Sequence, residues 1–402
     1  MRLAFYLEPA LFRNNPGLLS PHLGWFTFVV QALGISSADT IVLITTKSLC
    51  SVFERKLIER FELKFEIEHY QLDPVDVLLA FDGSLPHYAR DLYDLPDAPV
   101  QNGYLDLQIA NAFKVAAPNL IICSSENRYV VRHRPEHAQL FFIEKAPLPS
   151  WAGTNLYFDP IGHQSLGTLS RHWSALLAAR YAGAEQDAGR ALLMEVERRR
   201  VADRESDIAR RIVGKLQPGR EVIMVALQPH EWLSWEGALK TAYRPLDLLL
   251  QVAAKFPEYQ MLPTFHADMQ VADDAIKLLR QIQPNIVDLS PSECTGVSEI
   301  LLTVVSHVYS VSSAVGMSAL LYGCNLICDA NSYLTSAAVS TDEFRAGRTA
   351  ILPYEQRVSL AAFLTSRLSR DVIAMNSLEA YRLHADGIGR AIGLAAEPHV
   401  PW

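Results

Sequence analysis

The chain has 402 residues, half of them hydrophobic and a fifth charged, with a formal net charge of -8. That length implies two cores of about 150–200 residues rather than one, and the acidic balance argues against nucleic acid as a partner, which needs a clustered basic surface. The five cysteines, at 50, 123, 294, 324 and 328, include no CxxC pair, so neither a disulfide framework nor a structural zinc site is expected.

Short apolar strands alternate with helical patterns, the signature of an α/β class built on largely parallel sheets. The first apolar run is interrupted at Glu8, too early for a signal peptide. Strands are expected at Leu3–Leu7, Thr40–Thr45, Val77–Phe81 and Leu120–Cys123, with helices at Phe26–Leu33 and Leu49–Phe61. The segment 141–149 ends a strand in a proline-rich loop, and 153–167 (GTNLYFDPIGHQSLG) reads as a long loop rich in Gly, Asp and His. From Ser170 to about Lys215 the pattern is helical and connects two halves; its basic run Arg198-Arg199-Arg200 is followed by Asp203, Glu205 and Asp207 and reads as a solvated face.

The second half opens after Pro218-Gly219 with strand Glu221–Leu227. Helix Pro245–Lys255, strand Gln260–Thr264, helix Ala272–Gln281, strand Ile286–Leu289 and helix Val297–Val304 follow. A strand from Val308, a helix after Ser313, strand Asn325–Asp329 and closing helices Leu360–Arg367 and Asp371–Gly389 complete the chain. Cys324 and Cys328 fall in apolar sequence and read as buried hydrophobes. No apolar run approaches the roughly 18 residues that span a membrane. The expected location is cytoplasmic, with peripheral attachment at the inner face of the inner membrane left open. The expected division is 1–169, a helical connection 170–217, 218–350, and closing helices 351–402. Two doubly wound Rossmann-type domains facing a cleft, with ligands at the carboxyl ends of the strands, is the most economical architecture.

The richest stretch is VYSVSSAVGMSALLYG, residues 308–323. A helix starting directly after a strand points unpaired N–H groups above the sheet. Ser312 and Ser313 beside those donors, with Gly316 allowing close approach, suit a phosphate or carboxylate; they equally suit a plain helix cap. Two other strand ends carry useful groups. Gln228 can pair with a base or sugar edge, and His230 and His266 can donate to a phosphate. Glu231 or Glu236 can act as a base or nucleophile. Taken singly, His266 is equally a structural histidine and Glu236 a carboxylate at a helix N-terminus. On the other side, Arg13, Asn14 and Asn15 can hydrogen-bond sugar hydroxyls, and Trp25 can stack on a sugar face. Glu126-Asn127-Arg128 is a similar candidate. His133 and His137 make a poor metal pair, because Pro135 between them spoils helical spacing.

The ordered set Leu227-Gln228, His266, Ser312-Ser313, Gly316, Ala319-Leu320 and Gly323 resembles the capsule-synthesis-type glycosyltransferases, whose best-described members are retaining β-Kdo transferases. Glu144 and the loop Phe158-Asp159-Pro160-Ile161-Gly162 resemble the same family. The resemblance implies a modified GT-B architecture with CMP-β-Kdo as donor and a bacterial surface glycan, O-antigen or capsule, as acceptor. It implies transfer with retention by double displacement, the donor in the second half and the acceptor, with Glu144 and Asp159, in the first. No cofactor or metal is expected, since CMP leaves with its own phosphate and no DxD element is present. As aligned, the nucleophilic aspartate of the family falls four residues after the glutamine, where this chain has Trp232. An indole cannot attack an anomeric carbon. The chain is therefore an inactivated copy, uses Glu231 instead, or aligns differently in this loop. A transferase or epimerase for another nucleotide sugar, such as CMP-sialic acid, and a non-catalytic nucleotide- or glycan-binding module are the alternatives.

Overall fold

The computed structural model describes residues 1–10, 16–36, 38–61, 66–153, 155–229, 238 and 244–393. Its strands run, in chain order, β1 (Arg2–Tyr6), β2 (Thr40–Thr45), β3 (Glu66–Gln71), β4 (Leu120–Cys123), β5 (Gln139–Lys145) and β6 (Leu156–Asp159). After a helical stretch come β7 (Val222–Leu227), β8 (Gln260–Phe265), β9 (His307–Ser310), β10 (Asn325–Ile327) and the two-residue β11 (Ser369–Arg370). They form two sheets, one in each of two compact units. The α/β class with largely parallel sheets expected from the sequence is the class observed.

Unit one holds Met1–Ala146, Asn155–Thr168 and the chain from Arg367 on; unit two holds Pro147–Thr154 and Leu169–Ser366. The chain thus returns to the first unit at its end, rather than closing with a separate pair of helices from 351. Pairing and packing explain the return. Ser369 and Arg370 pair antiparallel with Tyr157 and Leu156 of β6. Helix Leu378–Ala391 then sets Tyr381 against Phe141 and Phe158, with ring centroids 5.0 and 5.7 Å apart. His384 Nε2 lies 2.7 Å from the Phe158 carbonyl oxygen.

In unit one the order is β11-β6-β5-β4-β1-β2-β3. β3, β2, β1, β4 and β5 run parallel, and β6 and β11 extend the sheet antiparallel. β2 and β4 are buried along their whole length, as strands of a sheet covered on both faces must be. Phe26 of helix Pro16–Ala32 stacks on Phe5 of β1 at 4.5 Å, and Phe53 of helix Lys47–Phe61 meets both rings edge-on. In unit two the order is β10-β9-β7-β8, all parallel. No helix among the described residues is long and apolar enough to cross a membrane.

Several elements differ from expectation. Val77–Phe81 is no strand: Asp73 Oδ1 accepts the Val75 N–H at 2.7 Å, Pro74 opens a helix, and Pro74–Leu79 buries Val77 and Leu78 while exposing Val75 and Leu79. The edge strand β3, EIEHYQ, is too polar and half-exposed to announce itself. The presumed loop 153–167 contains β6. In unit two, Ile286 makes a single bridge to Met261 rather than opening a strand, and the helix at 297–304 shrinks to Ser298–Leu301. All five cysteines are buried and free.

Candidate functional site

In a parallel sheet the ligand crevice opens where the strand order reverses, because neighbouring connections there leave in opposite directions. Unit two reverses between β7 and β9. Gln228 follows β7, Ser312 lies two residues beyond β9, and their side chains meet. Gln228 Oε1 accepts from Ser312 Oγ at 3.1 Å and from Ser312 N at 3.3 Å. His266, just past β8, is tied to this edge by its N–H, which donates to the Leu227 carbonyl at 3.0 Å. Its Nδ1 accepts the Asp268 N–H at 3.2 Å, close to the Asp268 carboxylate. The helix Ala314–Leu321 begins at the same place, with its first N–H groups at this end of the sheet.

Two residues take other roles. Ser313 caps the helix, accepting the Val315 N–H at 3.4 Å. Gly316 is buried against Leu334: a Cβ there would lie 2.5 Å from Leu334 Cδ1, so that leucine would have to shift. His230, Glu231, Trp232 and Glu236 lie outside the described residues, as do Arg13, Asn14 and Asn15.

Unit one reverses between β1 and β4, and a buried polar cluster sits at that end of its sheet. Glu8 follows β1 and Ser124, Ser125, Glu126 and Asn127 follow β4, all almost fully enclosed. Glu8 Oε1 accepts the Tyr88 hydroxyl at 2.6 Å and its other oxygen accepts that of Tyr6. Burial nevertheless pushes the Glu8 carboxyl up to about 7.

Beside this, the loop after β6 is folded tightly around Asp159. The carboxylate accepts Ile161 N at 2.9 Å and both Thr168 N and Oγ1 at 2.7 Å. The backbone closes so far that a Cβ on Gly162 would sit 2.6 Å from the Leu166 carbonyl, and one on Gly167 2.8 Å from that of Gly162. Asp159 is therefore enclosed and spent on the loop, a correction to its expected role toward an acceptor. What the loop delivers is His163. Its N–H donates to Glu126 Oε2 at 2.6 Å, its Nδ1 lies 2.9 Å from the Tyr93 hydroxyl, and its Nε2 lies 2.8 Å from Glu144 Oε2.

Glu144, on β5, also accepts the Tyr157 hydroxyl on Oε2 at 3.2 Å. Its side chain is 34% exposed against 3% for His163, so it is the solvent-facing member of the pair. Burial raises the Glu144 carboxyl, but the hydrogen bond and charge of His163, with His22 and Tyr157, outweigh this and hold it below the usual carboxylate range. His22 sits four residues before Phe26, on the same helical face, and burial pushes its ring down to about 4. Trp25 contacts the His22 ring at 4.5 Å. The structure thus groups Glu144, His163, His22 and Trp25, of which the sequence singled out the first and last. His163, Tyr93 and Glu8 were missed. The signal for His163 was available as a histidine between two glycines just after a strand-ending aspartate.

No protein-family model and no curated protein matches the sequence. Among solved structures, the β-Kdo 2,7 transferase KpsC of Thermosulfurimonas dismutans is similar at 14% identity, over 64% of this chain and 80% of that one, with a TM-score of 0.42. UDP-GlcNAc 2-epimerase of Neisseria meningitidis, bound to UDP-GlcNAc, is similar at 10% identity over 97% and 100%, with a TM-score of 0.27. A UDP-forming α,α-trehalose-phosphate synthase of Burkholderia xenovorans is similar at 11% over 94% and 78%, with a TM-score of 0.37. Likenesses at this level carry no argument about chemistry.

Two predictions follow from the geometry of unit one. A carboxyl raised to about 7 keeps its proton on folding, so its stabilising effect is complete below the unfolded value near 4.5 and is lost as pH rises to about 7. Glu8→Gln, which mimics the protonated form, should therefore melt higher than the unaltered chain at pH 8, by an amount corresponding to about 3 kcal/mol, and no higher at pH 4.5. Asp159→Ala, which strands buried N–H donors, should cost about 1–3 kcal/mol, and Gly162→Ala should lower the melting temperature in the same way. Unchanged melting for both would show that the loop does not depend on its close approach.

Proposed function

We propose that this chain is a GT-B-like glycosyltransferase that binds CMP-β-Kdo in unit two and acts toward a bacterial surface glycan, O-antigen or capsule. The observation that carries the reading is the Gln228–Ser312 contact at the reversal point of a four-stranded parallel sheet, beside a helix N-terminus. That is where a nucleotide phosphate is best matched by backbone donors, and His266 adds a further donor nearby. The assignment of the sugar to Kdo rests on the motif resemblance of Leu227-Gln228, His266 and Ser312-Ser313. Glu144, Tyr157 and Trp25 in unit one supply a carboxylate, a hydroxyl and an aromatic face suited to sugar hydroxyls.

Retention by double displacement needs a carboxylate. Its oxygen bonds to the anomeric carbon as the bond from that carbon to the CMP phosphate oxygen breaks, and CMP departs. The acceptor hydroxyl oxygen then bonds to the same carbon as the ester bond breaks, releasing the carboxylate and a proton. Two inversions restore the β configuration. At position 232 this chain carries an indole, which has no such oxygen and is bulkier than a carboxylate. The chain should therefore bind CMP-Kdo and transfer it poorly or not at all. A non-catalytic nucleotide-binding module is the second reading, and Trp232 is the observation that favours it.

Ser312→Ala should weaken CMP binding by about 1–3 kcal/mol if the hydroxyl bonds the charged ligand; unchanged affinity in calorimetry removes the pair from the site. Trp232→Asp should create transfer with β retention and, incubated with donor, gain the mass of one Kdo on the peptide containing position 232. Trp232→Ala should restore space without chemistry. If the unaltered chain already transfers Kdo, Glu231 becomes the leading nucleophile. Should Glu231→Gln then leave that activity intact, Glu144 and Glu236 are next, since Asp159 is committed to its loop.

A further inference from the structure

We propose that His163 is a positioning residue: clamped between the Tyr93 hydroxyl and Glu144 Oε2, it fixes Glu144 as an ionised carboxylate whose Oε1 is free to receive a hydroxyl of the acceptor sugar. The proposal rests on the reading of unit one as the acceptor side. The geometry is that of a three-member chain. Tyr93 OH lies 2.9 Å from Nδ1, and Nε2 lies 2.8 Å from Glu144 Oε2. With the tyrosine hydroxyl donating to Nδ1, the ring proton is confined to Nε2 and donated to the carboxylate.

The Glu144 hydrogen bonds all converge on one oxygen. His163 Nε2, Tyr157 OH and, at 3.5 Å, Gln164 Nε2 meet Oε2, and Oε1 has no protein partner among the described residues. A carboxylate held this way accepts from a hydroxyl on its outer oxygen without giving up its inner bonds. His163 itself cannot drift: Glu126 holds its backbone, and Gly162 leaves no room for the loop to relax. The other titratable groups facing the pair are His22 from helix Pro16–Ala32 and Tyr157 from β6, with Glu126 and Glu8 behind Tyr93. The cluster therefore places the histidine, and not a second carboxylate, in contact with Glu144.

Carbodiimide coupling of Glu144 to glycine ethyl ester, followed by peptide mass spectrometry across pH, tests this without any donor or acceptor. Coupling follows the protonated carboxyl, so its pH midpoint reports the ionisation of Glu144 itself. His163→Ala removes the donor and leaves burial, so the midpoint should move up by about one pH unit or more. His163→Gln, which retains an N–H donor, should move it less, and Tyr93→Phe should move it in the same direction. A merely structural role would lower the melting temperature and leave the midpoint in place; that result in folded His163→Gln and Tyr93→Phe overturns the proposal, even if His163→Ala does not fold. Because coupling reads the carboxyl directly, a chain that binds no CMP-Kdo would refute the donor assignment while leaving this outcome independently decided.

Discussion

The buried carboxylate of Asp159 is the constraint on which the unit-one cluster depends. A carboxylate removed from water must have its charge matched by donors, and Asp159 finds them in the loop that it begins: Ile161 N, Thr168 N and Thr168 Oγ1. Satisfying that charge folds residues 159–168 back on themselves, which only glycine at 162 and 167 permits. The same closure carries His163 to Glu144 and Glu126. One buried carboxylate thereby sets the surroundings of another. The returning C-terminal segment supports the arrangement, since β11 pairs with β6 and Tyr381 and His384 hold Phe158 from the other side.

The two units use one topological device with different chemistry. Each reverses its strand order beside its first strand, and each gathers polar side chains at that point. Unit two offers polar side chains and a helix start, through Ser312, Gln228 and His266. Unit one offers carboxylates, tyrosines and histidines, through Glu8, Glu144, Tyr93 and His163.

Much of this was legible in the sequence where local and global preferences agree. β2, β4 and helix Pro245–Lys255 match expectation end to end, because continuous β-branched runs and a proline-opened amphipathic helix admit few alternatives. The convergence of Gln228, His266 and Ser312 was readable from strand ends alone. Val77–Phe81 misled because an apolar run of five suits either element, and the deciding Asp73-Pro74 cap lies before it. The polar edge strand β3 gave no alternating signal. His163 and Glu8 were hidden for a different reason: their distant partners, Glu144, Glu126, Tyr93 and Tyr88, are 19 to 80 residues away, and only the folded sheet brings them together. Asp159 was overread, since a motif position carries no information on whether it faces a ligand or the core.

The central claim is that unit two is a nucleotide site organised on the Gln228–Ser312 contact. A crystal structure of the unaltered chain with CMP tests it most directly. The account predicts the nucleotide at the carboxyl ends of β7 and β9, with its phosphate within hydrogen-bond distance of Ser312 or the first N–H groups of helix Ala314–Leu321. CMP bound at another place, with Gln228 and Ser312 still paired and untouched, would contradict it.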